Sequence, residues 1–95
     1  MNIETAYPTK VFERGTRTTS EGLELPFKVS VFKVEEHEGR ALYTLAHMGS
    51  HFQALVDASG EVEFLPLEGF LKENEELVKE LTSKLVKRDF SSRIG

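Results

Sequence analysis

Histidines, serines, arginines and a dense set of carboxylates supply the candidate reactive groups of this 95-residue chain. His47 and His51 stand four apart, a spacing that puts two ligands on one face of a helix. Gly49 and Ser50 between them read as a turn instead, with a strand on either side. Alternation then places His47 on the core-facing set and His51 on the opposite one, and two histidines without a third ligand fall short of a metal site. The expected roles are a partly buried, hydrogen-bonded His47 and an exposed His51 on the sheet rim. Glu35, Glu36, His37 and Glu38 carry ligand atoms, but four consecutive residues of a turn point apart. Ser50 or Ser59 with Asp57 and a histidine would supply the groups of a nucleophilic triad. Both serines lie in turns at opposite ends of one strand, too far apart to share a site. Glu61 and Glu63 share a strand face beside no pocket-forming residues. Arg14 and Arg17, with the hydroxyls of residues 15–22, could hold a phosphate through side-chain donors, but no helix start or P-loop spacing follows. The chain has no cysteine, which excludes disulfides, thiolate catalysis and zinc–thiolate centres. The reading is of a protein that is not an enzyme and holds no metal and no cofactor.

A chain of this length, 39% hydrophobic and 29% charged, suits a single folded domain over residues 1–95. It can bury roughly two-thirds of its unfolded surface without staples. No apolar run approaches a membrane span, and the start at Met1 lacks the basic and apolar regions of a signal peptide, so a cytoplasmic protein is expected. The net charge of −4 is unevenly spread. Residues 1–34 carry five Lys/Arg against four Asp/Glu, residues 35–76 two against ten, and residues 77–95 five against two. A solvated surface accounts for much of this; an acidic patch facing a basic partner is the sharper possibility.

The stretch from His51 to Leu65 organises the elements. Phe52, Ala54, Val56 and Ala58 alternate with His51, Gln53, Leu55 and Asp57, and Val62 and Phe64 alternate with Glu61 and Glu63. That period of two predicts a hairpin turning at Ser59 and Gly60, with the first set and the Val62/Phe64 pair buried. Upstream, residues 1–8 read as a loose lead-in, 9–14 as a short edge strand and 15–22 as a polar loop. Leu23 to Val34 is a strand with Phe27, Val29 and Val31 on one face and Lys28, Ser30, Phe32 and Val34 on the other. Residues 35–40 form a turn around Gly39. In the next strand Ala41, Tyr43, Leu45 and His47 alternate with Leu42, Thr44, Ala46 and Met48, and Gly49–Ser50 turns the chain back. A helix over 68–88 places Phe70, Leu71, Leu77, Val78, Leu81 and Leu85 within an arc of about 120°. Residues 89–95 read as a frayed tail. The predicted fold is therefore α+β: a four-stranded antiparallel β-meander, five-stranded if residues 9–14 join, with one C-terminal amphipathic helix packed on one face.

One helix covers one face of such a sheet. The opposite face would still show Phe32, Val34, Leu42, Ala46, Met48, Leu55 and Leu65, more apolar than a solvated antiparallel face requires. Either the N-terminal segment folds across it, with Val11 and Phe12 as the plug, or the face binds a partner. The favoured expectation is protein–protein interaction, as a small inhibitor or adaptor. Phe32, Val34, Leu42, Met48 and Leu55 would dock while Glu35, Glu36 and Glu38 orient a basic partner. Self-association through the same face would give a twofold homodimer. The alternative is single-stranded nucleic acid bound on this face, with Phe32 set among Lys28, Lys33 and Arg40. The element order over residues 27–88 resembles that of transcriptional coactivators that bind single-stranded DNA on a curved four-stranded sheet. The resemblance is one of element order, with no diagnostic motif, and the acidic 35–76 segment departs from it.

Overall fold

The computed structural model describes residues 11–94, and of Ile94 only the backbone. The predicted lead-in over 1–8, the first residues of the 9–14 strand and Gly95 lie outside the described residues. Five strands form one antiparallel sheet in sequence order: β1 (Phe12–Thr18), β2 (Glu24–His37), β3 (Arg40–His47), β4 (Ser50–Val56) and β5 (Val62–Phe64). The sheet is curled, and α1 (Gly69–Glu73) and α2 (Glu75–Ile94) follow it. The α+β meander with a C-terminal helix is the architecture expected from the alternation, in its five-stranded form.

Residues 12–18 pair with β2 from Ser30 back to Glu24, so the segment read as a loop from Gly15 is strand as far as Thr18. Thr and Arg alternate there, and the strand is held by its neighbour rather than by its own apolar pattern. Val11 accepts a hydrogen bond from the Val31 N–H at 2.9 Å and packs against the core. It does so from the sheet edge, so Val11 and Phe12 extend the sheet instead of plugging its outer face.

The second correction lies in β2. The ladder to β3 slips by one residue between Val31 and Lys33, a β-bulge. An extra residue in one strand reverses the inside–outside alternation beyond it. Val34 therefore falls in the core, fully buried and paired with Tyr43, and not on the outer face with Phe32. Beyond the bulge β2 runs on to His37, and a two-residue turn at Glu38–Gly39 replaces the longer turn over 35–40. Both turn residues have positive φ, 51° and 80°, as a hairpin turn matched to strand twist requires.

The helix read over 68–88 is two helices. Asn74 caps α1, and its side-chain amide donates to the Phe70 carbonyl at 2.9 Å, competing with the backbone ladder. Asn74 leaves helical geometry at φ −113°, and Phe70, expected in the buried arc, is 40% exposed. Leu71, Val78, Leu81, Leu85, Val86 and Phe90 seal the inner face of the sheet. Gly15 lets Leu81 approach bare backbone: a Cβ there would sit 2.8 Å from a Leu81 methyl. The Glu75–Lys79 and Glu80–Lys84 pairs form at 3.2 and 3.6 Å on the solvent side.

The helix does not stop at Arg88. Asp89 and Phe90, read as the start of a frayed tail, are buried. The Tyr43 hydroxyl donates to Asp89 Oδ2 at 2.5 Å, and Arg93 Nε donates to the same oxygen at 2.6 Å. Burial, reinforced by the Asp89 carboxylate, pushes the Tyr43 hydroxyl far above the ordinary phenol range. The β4–β5 turn is held differently. Asp57 accepts from the Ser59 hydroxyl (2.6 Å), the Ser59 N–H (2.9 Å) and the Glu61 N–H (3.0 Å). The Ser59 hydroxyl first, then the Glu61 N–H, hold its carboxyl below the usual range. Gly60 takes φ 90° in this turn, and Ala58, assigned to the buried set by alternation, is exposed in it.

Two predictions follow from these polar contacts. Asp89→Ala strands the buried Tyr43 hydroxyl and leaves Arg93 without its counter-ion, so it should cost about 3 kcal/mol. Tyr43→Phe removes only one donor and should cost about 1 kcal/mol; urea midpoints of the two variants give the order. Asp57, with a depressed folded-state pKa, contributes its full stabilisation above the ordinary carboxylate range and loses it as pH falls through the depressed value. The gap in melting temperature between the wild type and Asp57→Ala should therefore be constant near neutrality and close in acid, as a series of thermal melts will record.

Candidate interaction surface

The ladder registers define the outer face of the sheet. Phe12, Arg14, Lys28, Ser30, Ala46 and His51 share its upper half, with β1 covering β2 only from Glu24 to Ser30. Phe32 and Lys33 both point outward, because the bulge places both opposite the single residue Thr44. Below them lie Glu35, Leu42, Leu55 and Glu63 in one cross-strand row.

The residues expected to dock a partner divide on this map. Phe32 (46% exposed) and Met48 (90%) stand open to solvent, Leu42 is half-buried, and Val34 is core. Leu55 points outward as expected but is only 8% exposed. Next to it the Arg40–Glu63 ion pair, 3.1 Å long, joins β3 to β5 across β4. Glu35 is tied to Lys33 at 3.4 Å, while Glu36 and Glu38 are exposed at the lower end. The apolar excess inferred from alternation is thus smaller than expected, since the bulge takes Val34 inside and the ion pair closes beside Leu55.

The residues proposed for nucleic acid, Lys28, Phe32, Lys33 and Arg40, all face outward, but Lys33 and Arg40 are engaged by carboxylates. Alternation places His51 on this face, as the structure does, but gives no such place to Phe12 and Arg14 as strand residues. The Arg14 guanidinium and the Lys28 ammonium each lie 5.1 Å from the Phe12 ring centroid, and neither has a carboxylate partner among the described residues. The His51 ring meets Phe32 edge-on at 4.8 Å. The sequence suggests a plug for Phe12 and a phosphate contact for Arg14, because the strand carrying them has no apolar alternation of its own; the pairing with β2 sets both on the outer face.

At the upper end of the sheet the rings of Phe27, His47 and Phe70 stack, with His47 4.0 Å from Phe27 and 5.6 Å from Phe70. Arg17 lies over the Phe70 ring at 4.8 Å. His47 is buried, with Nδ1 2.8 Å from the Lys28 carbonyl, so Nδ1 carries the proton and donates. Nε2 is buried with no hydrogen-bond partner among the described residues, and a ring so enclosed serves to fix α1 against β2 and β3. His51 is exposed on the other face, so the two histidines do not converge. Among the described residues no group of three His, Asp or Glu side chains could hold a metal, and no helix is long and apolar enough to cross a membrane. Ser50 and Ser59 lie at opposite ends of β4, and Asp57 is occupied by its own turn. No protein-family model, curated protein or solved structure matches this chain.

Met48 is the outlier of the surface. The β3–β4 turn is Met48–Gly49, closed by the His47–Ser50 pair, and not Gly49–Ser50. Met48 therefore adopts φ 46° with its side chain in water. Asn, Asp or Gly takes this turn position at lower cost, and a large side chain at positive φ is strained. Met48→Asn should stabilise the protein by about 0.5–1 kcal/mol, raising the melting temperature by a few degrees; a thermal melt checks it.

Proposed function

We propose that the protein is a non-enzymatic interaction module that binds another protein through the outer face of its sheet, as a small inhibitor or adaptor would. The observation that carries this reading is Met48, a flexible, polarisable side chain held 90% exposed at a strained turn position where a polar residue would cost less. It stands at one end of a face that also presents Phe32, Ala46 and Leu42. Glu38 lies in the turn at the other end and favours a partner with basic groups there, while Glu36, opposite the buried Ala41, is exposed on the inner-face side of the same end. A second copy docking through the same face would give a twofold dimer.

A second reading rests on Phe12. Its ring sits under two cations that have no carboxylate partner among the described residues, an arrangement suited to stacking a base while neutralising a phosphate. Single-stranded nucleic acid would then run across Phe12, Lys28 and Phe32, away from the acidic lower turns.

One set of measurements separates the two readings. Native mass spectrometry over a concentration series reads self-association, and proteins captured from lysate by the wild type are compared with those captured by a folded Phe32→Glu/Met48→Glu variant. A captured partner or dimer lost in the double variant supports the first reading. Titration with labelled oligothymidylate at low salt tests the second. Salt-sensitive binding that weakens roughly tenfold in Phe12→Ala would replace the protein-binding reading with the nucleic-acid one.

A further inference from the structure

Between β4 and the chain that follows β5 lies an open groove of about 950 Å³. Its origin is covalent. β5 is three residues long and pairs with Ala54 to Val56; the Leu65 N–H still donates to the Gln53 carbonyl at 3.1 Å. Pro66 has no N–H to continue the ladder, and from there the chain swings away through Leu67 into α1. The far wall is Pro66, Leu67, Glu68 and Phe70, and the ring stack with His47 together with Arg17 holds Phe70 in place.

The near wall is backbone. In a strand the N–H and C=O of one residue point to the same side, and a narrowly spaced antiparallel pair exchanges two hydrogen bonds. Gln53 and Leu65 make only the first of these, leaving the Gln53 N–H facing the groove. Two residues earlier, His51 points its N–H and C=O the same way, opposite no described strand. Three strand-edge groups thus line a cleft whose other polar features are the Thr44, Ser50 and Gln53 side chains. Among the described residues Glu68 is the only carboxylate in the lining, which contains no lysine or arginine.

We propose that this groove takes an extended, lysine- or arginine-bearing segment of a partner protein, which adds to β4 beside His51 and Gln53 as a short strand. The inference rests on the protein-binding reading above and gives it a mode: backbone pairing at the β4 edge, side chains entering toward Phe52 and Leu67, and a cation set against Glu68. His51 and Gln53 side chains belong to the outer face, so the groove opens directly onto that surface.

The test selects heptapeptides from a random display library on the intact protein and uses the synthetic peptides obtained. The expected peptides are extended and basic, and they shift the His51 and Gln53 amide resonances. Methylating one backbone nitrogen of the peptide should weaken binding roughly tenfold, and Gln53→Pro, which removes an N–H with no partner among the described residues together with the side-chain bond to Thr44, should do the same. Glu68→Gln should weaken basic peptides and spare neutral ones. Should Gln53→Pro disturb the sheet, the methylated peptides still decide the matter on the wild type. Strand addition is overturned if no peptide is selected or if backbone methylation is without effect. Selected peptides that shift Met48 and Phe32 but not His51 and Gln53 overturn the groove and leave outer-face docking standing; oligothymidylate binding with no peptide selected overturns both.

Discussion

The extra residue at Phe32 and Lys33 is the constraint on which the rest of the sheet depends. β2 is 14 residues long and serves two neighbours, pairing with β1 along its first half and with β3 over its second. Its apolar residues come in two phases, Phe27, Val29 and Val31 at odd positions and Val34 at an even one. Strict alternation would turn one phase outward, leaving either Val34 in water or three large side chains there. The bulge satisfies both phases, since both groups are buried. It also sets an aromatic ring and a lysine side by side on the outer face, which regular alternation does not allow. Core and candidate surface are therefore products of the same irregularity.

Val34 pairs with Tyr43, and Tyr43 carries the second long-range constraint. Its hydroxyl reaches Asp89 on the last turns of α2, and Arg93 shares that carboxylate. At the other end of the sheet the Phe27–His47–Phe70 stack holds α1. Arg88 adds an edge contact, donating to the Phe12 carbonyl at 2.7 Å and pairing with Glu13 at 3.3 Å. The helical layer is thus fastened at both ends and across the β1 edge. The inner face is occupied in this way, and the proposed binding surfaces are therefore the outer face and the β4 edge.

The meander and its inner face were legible because long stretches of the chain alternate cleanly. Ala41, Tyr43, Leu45, His47, Phe52, Ala54 and Val56 all lie where a period of two puts them. The features that escaped are those in which one residue overrides a pattern. A bulge has no signature in alternation until two phases collide, as at Val31 and Val34. Asn74 reads as one polar residue in an apolar arc, and only its contact with the Phe70 carbonyl shows that it divides the helix. Asp89 and Arg93 look like solvent residues because their partner, Tyr43, is 46 positions away from Asp89. Arg14 and Phe12 joined the candidate surface through pairing with β2, which no local pattern encodes. The outward placement of Phe32 and Leu42 was accessible from periodicity; the exposure of Met48 was not, since it comes from a turn position, nor was the groove, which depends on which backbone groups remain unpaired.

Edge management explains why that opening lies where it does. A flat, fully exposed edge strand pairs indiscriminately with other sheets, and proteins blunt such edges with short strands, prolines and covering loops. All three devices meet beside β4: β5 has three residues, Pro66 ends it, and residues 65–69 stand over the unpaired stretch. On the proposed reading, that wall stands in the way of a second sheet and leaves room for a single extended chain beside His51 to Gln53. The arrangement that blunts the edge is thus the same one on which the proposed strand addition depends. At its rim lie His51, in contact with Phe32, and the turn bearing Met48, so a strand entering the groove would carry its flanking residues onto the outer face.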